Sequence, residues 1–264
     1  MDPSTGAETG AQVIRQVYPR LGIVPGLILA PGWSQIPEVG LALAAKAAKI
    51  NGVYSAMALL DLDTAKAKKY TDTKSVKEES GYTSPFCYPL WPCDRVGEYI
   101  LAKSAVAGAM IQYMASDNED VPNQSPSNHL LGVGGQCLVD GTEVYLDQDQ
   151  ASSDAKDIWF AVRRMFSWQG NNFIQTYFDE VDDPMNNVLV QSVVDSENIR
   201  CSAYAPKYWA GASIEYKSDD NPKTAILAGT MKFRQHIAPY TPAQEIVDII
   251  DYDTDTLAAA VGGN

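Results

Sequence analysis

Gly26-Leu-Ile-Leu-Ala-Pro-Gly-Trp-Ser34 is the stretch on which the fold class turns. Its apolar run, Leu27 to Ala30, is bounded by Gly26 and Pro31-Gly32, which suits a strand buried on both faces. Ser34 reads as a helix N-cap, and Pro37 falls in the first helical turn. Ile36, Val39, Leu43, Ala47 and Ile50 then make one apolar stripe. Lys46 and Lys49 complement the negative helix end, and Asn51-Gly52 stops it. A second apolar run, Ala56 to Asp63, supplies the next strand, with Asp61 at its end. Strand, tight turn, helix and strand in this order place the chain in the α/β class. Such units carry many functions, so the pattern assigns none.

Working outward, Thr64 to Gly81 reads as a short helix and a surface loop. Pro85 to Leu90 reads as a third strand of the same sheet, its two prolines marking ends or an edge position. A helix is expected from Gly97 to Ala115, with Ile100, Ala107, Met110, Ile111 and Met114 as its apolar stripe. Asp120 to Asn128 is loop-like, with Ser125 to Asn128 as a structural turn, and Val144 to Leu146 reads as a short strand. The periodicity predicts a long helix from Asp154 to Glu180, lined by Ile158, Val162, Met165, Phe166, Phe173 and Tyr177 and weakened at Gly170. Asp183-Pro184 then opens a helix from Met185 to Asn198. Ala212 to Tyr216 and Thr230 to Ile237 alternate as strands do, with Pro239 and Pro242 as breakers, and Glu245 to Tyr252 reads as an extended segment before a small-residue tail.

The fold expected is α/β, α+β overall. It comprises a βαβ sheet layer with flanking helices, a long central helix pair, and a β-rich C-terminal part with an extended arm. The division expected is a flexible or truncated start at 1–20 and a core at 21–242, with its βαβ part at 21–150 and its helical and β part at 151–242. A C-terminal arm follows at 243–264.

With 264 residues and 45% hydrophobic content, the chain can bury a sizeable core. A net charge of -13 argues against non-specific nucleic-acid binding. No apolar run approaches the roughly 18 residues of a membrane-spanning helix. The polar start, Met1 to Glu8, does not read as a signal peptide. Cys87, Cys93, Cys137 and Cys201 read as free thiols without zinc-ligand spacing.

Candidate chemistry is sparse. Asp61 ends a strand where open α/β sheets place ligands, but its simplest reading is as a cap for the Asp63-Thr64 turn. Pro31 to Ser34 is neither a P-loop nor a dinucleotide-binding sequence. The two histidines, His129 and His236, have no nucleophile elbow around Ser34 or Ser127 to serve. Asp179, Glu180, Asp182 and Asp183 form an acidic cluster that could hold a divalent cation but is more simply explained by a helix junction, and Arg163-Arg164 could grip phosphate, although two cations on a mostly acidic helix more often make ion pairs. No catalytic residue, cofactor or metal site is expected.

Taken together, several quoted stretches resemble the subunit of contractile phage tail sheaths. They run from Tyr18-Pro-Arg-Leu-Gly-Ile-Val-Pro25 through Leu29 to Ser34, Ala44 to Lys46, Ile50 to Gly52, Asp61 to Asp63 and Ser125 to Asn128. They resume at Asp157 to Phe166, Asp182 to Asn186, Asp195 to Ile199, Gly229 to Phe233 and Pro239 to Ile246. Each is weak alone, and their collinear order is specific. Two features depart from the family: a substantial region usually precedes the match, and a Trp-Gly-Asn-containing segment usually separates Gln150-Ala151 from Ser152-Ser153.

The resemblance implies a non-enzymatic virion structural protein that assembles helically around a tail tube and contracts by repacking. Its partners would be other copies of itself, the tube protein, and baseplate and tail terminator proteins, with no nucleic acid and no membrane. It would be made in the bacterial host cytoplasm and reside in the virion tail. The inter-subunit arm would use Glu245, Ile246, Val247, Ile249, Ile250 and Tyr252. The alternatives are a non-sheath scaffold of a contractile injection machine and an α/β hydrolase-like enzyme.

Overall fold

The computed structural model describes residues 9–96, 98–116, 155–157, 159–241 and 247–262. Strands β1 (Leu27–Leu29), β2 (Met57–Asp61) and β3 (Cys87–Leu90) form a parallel sheet in that order, with Leu27 opposite Met57 and Ala58 opposite Cys87. Every residue of β2 is buried, because successive side chains serve opposite faces. Ala58 and Leu60 join Leu43, Ala44 and Ala47 of helix α2 (Pro37–Ala48) in one cluster. Met57 and Leu59 join Ala107 and Ile111 of helix α4 (Lys103–Ser116), together with Phe160, in another. A continuous apolar run is therefore what a strand sandwiched between helices requires. Pro89 lies in the outer strand β3, as expected of an edge.

Within the stretch expected as a loose start, Gly10–Gln16 forms a 3-10 helix and Val17–Leu21 forms α1. Ile14 and Tyr18 pack on the α2 cluster, and Lys46 Nζ donates to Gln12 Oε1 at 2.6 Å. Helix α2 opens at Ile36 without a side-chain cap, so Ser34 is not the N-cap expected. Between β2 and β3 lies the short helix α3 (Thr73–Glu79).

The helix expected from Gly97 begins only at Lys103. Before it, β4 (Asp94–Val96) and β5 (Tyr99–Leu101) form an antiparallel hairpin. The run Tyr99-Ile-Leu101 suits a strand, and Ile100, 73% exposed, leaves the predicted stripe. The turn at Ser125–Asn128, the strand at Val144–Leu146, His129, Cys137 and the junction at Gln150–Ser153 lie outside the described residues.

The predicted helix 154–180 is shorter. Helix α5 (Phe160–Thr176) is flanked by single 3-10 turns at Ala155–Asp157 and Phe178–Glu180. Val162 and Met165 are buried, Ile158 lies outside the described residues, and Gly170 does not interrupt the helix. Helix α6 (Asn187–Tyr204) starts later than expected. Its N-cap is Asn186, whose side chain accepts from the Leu189 N–H at 2.9 Å, and not Asp183-Pro184.

Strands β6 (Trp209–Glu215) and β7 (Arg234–Pro239) pair antiparallel, with Ser213 opposite His236. Strand β7 begins later than the alternation predicted and runs on to Pro239, which read as a breaker. The short helix α7 (Lys223–Leu227) lies between them. Trp209, fully buried, packs with Met165 and Cys201 and donates from Nε1 to the Cys201 carbonyl at 2.9 Å. After β7, residues 247–253 have no regular structure, and α8 (Thr254–Ala260), capped by Asp253, occupies part of the expected tail.

Three asparagines join these pieces by bonding both the N–H and the C=O of one residue elsewhere. Asn171 of α5 holds Ser55 at 2.9 and 2.7 Å. Asn198 of α6 holds Ile214 at 3.0 and 3.1 Å. Asn221 holds Lys232 at 2.7 and 2.9 Å.

Met165 is 1% exposed in the cluster it forms with Cys201 and Trp209. Met165→Asp would bury an unpaired charge, and urea titration should show a loss of roughly 3–5 kcal/mol. An unchanged midpoint would remove α5 from the core.

Candidate functional site

The carboxyl end of β2, where ligands collect in open α/β sheets, is filled by the protein itself. Asp61 Oδ2 accepts from Ser34 Oγ at 2.8 Å and from Ser104 Oγ at 2.6 Å. Asp61 Oδ1 accepts from the Ser104 N–H at 2.8 Å, which caps α4 with a charge from another element. Ser34 Oγ in turn accepts from the Asp61 N–H at 3.0 Å. Ser34 and Ser104 are fully buried and Asp61 is 3% exposed. Tyr82 closes the cluster by donating from its hydroxyl to the Ser34 carbonyl at 2.9 Å, and burial pushes its phenol pKa up. Gly40 lets that ring pass, because a Cβ there would strike the Tyr82 hydroxyl.

The structure thus brings Ser34 and Asp61 together, but in a different role from either one expected. Asp61 does not cap the turn after it; Asp63 does, accepting from the Ala65 N–H at 2.9 Å. His236 is not part of the cluster. It lies on β7 against Glu215, 2.9 Å from Nε2 to Oε1, where Lys217 and then His236 hold the Glu215 carboxyl below its ordinary range. The cluster has the acceptors and donors of a satisfied structural network, with its serine hydroxyl already donated to the carboxylate. It contains no base aligned on a free nucleophile.

A second polar centre escaped sequence reasoning. Glu197, fully buried on α6, accepts from Gln169 Nε2 at 2.5 Å, Arg200 Nη2 at 2.6 Å, Tyr177 Oη at 3.2 Å and Gln235 Nε2 at 3.3 Å. It ties α5, α6 and β7 to one carboxylate. The signal was available: Val193, Glu197 and Cys201 are spaced on one inward helical face, so an acid there must find buried partners. Burial, then the Glu197 carboxylate, pushes the Tyr177 phenol up to about 12.

Of the arginine pair, Arg163 makes the expected ion pair with Asp157 at 3.0 Å and lies over the Phe86 ring. Arg164 makes no ion pair with any described residue. Among the described residues no group of three or more His, Cys, Asp or Glu is placed to hold a metal, and no helix is long and apolar enough to cross a membrane. The acidic residues Asp179, Glu180, Asp182 and Asp183 are exposed around the 3-10 turn before α6. Of the arm residues, Val247, Ile249, Ile250 and Tyr252 are 66, 79, 87 and 76% exposed, and Glu245 and Ile246 lie outside the described residues.

Neither a family model nor a curated protein matches this sequence. Solved structures do. A chain from the contracted sheath complex of an extracellular contractile injection system, PVC, superposes with a TM-score of 0.68 at 14% identity, over 92% of this chain and 75% of that one. A chain from the six-fold symmetrised baseplate of the anti-feeding prophage, AFP, gives 0.66 at 16% identity, over 92% and 72%. One from the AFP baseplate in its contracted state gives 0.53 at 18%, over 75% and 65%.

The fold is that of contractile injection system components. At these identities the likeness is one of architecture, and both sheath and baseplate assemblies supply it.

Two outcomes follow from the polar centres. Asp61→Ala strands the buried Ser104 N–H and both serine hydroxyls, and thermal unfolding should report a loss of about 2–4 kcal/mol. Because the folded chain keeps the Tyr177 proton until about pH 12 while a free phenol releases it near 10, this stabilisation is whole below pH 10 and disappears as pH rises through 12. Tyr177→Phe should flatten that part of the melting-temperature profile. An identical alkaline fall in the variant would count against it.

Proposed function

We propose that this chain is a structural, non-enzymatic subunit of a contractile tail or injection machine, and specifically a sheath subunit that stacks helically around a tail tube and repacks on contraction. The carrying observation is the extent of the likeness: 92% of the chain follows a chain of the contracted PVC sheath complex. The collinear stretches from Tyr18 to Ile246 support the same reading, as does the closed state of the Asp61 cluster.

The C-terminal segment is the proposed link between copies. Val247, Ile249, Ile250 and Tyr252 expose apolar surface with Asp248 and Asp251 between them, and Glu245 and Ile246 belong to the same run. An extended segment of this kind can add to a neighbour's sheet edge, and head-to-tail donation builds an open helix. The partners proposed are further copies of the chain, the tube protein, and baseplate and tail terminator proteins. The proposed location is the tail of a phage or phage-like particle.

A baseplate or other non-sheath component is the second reading, favoured by the two AFP baseplate matches. Negative-stain microscopy of the protein co-expressed with its tube partner separates the two. Sleeves of variable length support the sheath, closed rings support the baseplate, and neither form on a tube would defeat both. Deleting residues 243–264 should leave the melting temperature of the core within a few degrees of the parent and abolish sleeves. Normal sleeves from the truncated chain would remove the segment from the linking role.

A further inference from the structure

We propose that the groove between helix α5 and the entry to strands β1 and β2 is a binding site for a carboxylate group, with Arg164 as its anchor. The groove encloses about 370 Å³, within the range of small-ligand sites. One of its walls is a single face of α5: Arg164, Ser167, Trp168, Asn171, Asn172 and Gln175. These positions follow helical spacing, so they line up along one side. The opposite wall includes Gly26 and Met57, at the amino ends of the sheet strands, far along β2 from Asp61.

A helix face turned toward a sheet is normally apolar; this one is not. Asn171 is committed to Ser55 at both ends of its amide. The Asn172 and Gln175 side chains make no hydrogen bond to any described residue. Ser167 Oγ is buried without a hydrogen-bond partner among the described residues, on a residue only 9% exposed. The Arg164 guanidinium, partly buried, has no ion pair or hydrogen bond to any described residue, and its neighbour Arg163 takes Asp157. Its guanidinium carbon lies 5.4 Å from the centroid of the Phe160 ring. Burial lowers its pKa to about 10, with no counter-ion among the described residues.

The chemistry of the proposed ligand follows from these donors. A guanidinium presents a planar fork that matches two carboxylate oxygens. A single cation neutralises a single negative charge, and a doubly charged phosphate would be left uncompensated beside a chain of net charge -13. The Ser167 hydroxyl and the Asn172 and Gln175 amides can bond further oxygens, while Trp168 and Met57 cover a short carbon skeleton. The carboxylate belongs either to a free small organic acid or to an Asp or Glu side chain of a neighbouring subunit.

Phenylglyoxal modification of the full chain, quantified at Arg164 by peptide mapping, tests the site. Millimolar propionate should slow modification of Arg164 about tenfold and leave the exposed Arg20 unaffected, while neutral propionamide should do nothing. By calorimetry, Arg164→Met should lose propionate binding and Arg164→Lys should keep part of it, both with unchanged melting temperatures. If Arg164 is also protected in assembled particles without propionate, and Arg164→Met but not Arg164→Lys weakens assembly, a neighbour supplies the carboxylate. Protection by propionate alone assigns the site to a free acid. Equal modification rates with propionate and propionamide, or unchanged binding in Arg164→Met, would overturn the proposal. Either result stands apart from whether the chain forms sleeves or rings.

Discussion

The Asp61 carboxylate sets the geometry on which the first half of the molecule depends. It lies at the end of the central strand and is the common acceptor for the β1–α2 turn through Ser34 and for the start of α4 through Ser104. Helices on opposite faces of the sheet are thereby referenced to one atom group. The arrangement also occupies the crevice that an α/β sheet offers to ligands. Filling it fixes one conformation, because a buried carboxylate with three good donors holds each of them in place.

The second half uses the same device with different chemistry. Glu197 gathers donors from α5, α6 and β7 around one buried charge, and the aromatic cluster of Trp168, Tyr204 and Trp209 packs beside it. Trp168 and Tyr204 meet edge-on at 5.4 Å, a geometry favoured by the ring quadrupoles. The two halves meet where Phe160 stacks on Tyr88, at 4.1 Å between centroids, and where Asn171 holds Ser55.

Much of the α/β half was legible because its signals are local. Leu27–Leu29 and Met57–Asp61 are short apolar runs, the first bounded by Gly26 and Pro31, and α2 buries Leu43 and Ala47 of its expected stripe, while Ile36 precedes the helix and is 42% exposed. Errors gathered where tertiary partners override local preference. Ser34 looks like an N-cap, yet its hydroxyl is drawn to a carboxylate 27 residues away. Asp183-Pro184 has a standard helix-start pattern, but Asn186 makes the cap. The β4–β5 hairpin hid inside what looked like one helical stripe, because Ile100 happens to fall at helical spacing from Ala107. Glu197 was not singled out, and Arg164 was expected to share in the ion pairing that Arg163 makes with Asp157. The meaning of each depends on which side of a helix faces which neighbour, and no single residue announces that.

The asparagine clamps have a consequence for how the chain answers its surroundings. Asn171, Asn198 and Asn221 carry no charge, so acid, base and salt leave their six bonds to Ser55, Ile214 and Lys232 untouched. The surface is the opposite: a net charge of -13 makes its electrostatics strongly dependent on ionic strength. Shape and surface charge are thus under separate control. A change of medium can alter what the surface attracts while the fold keeps its dimensions.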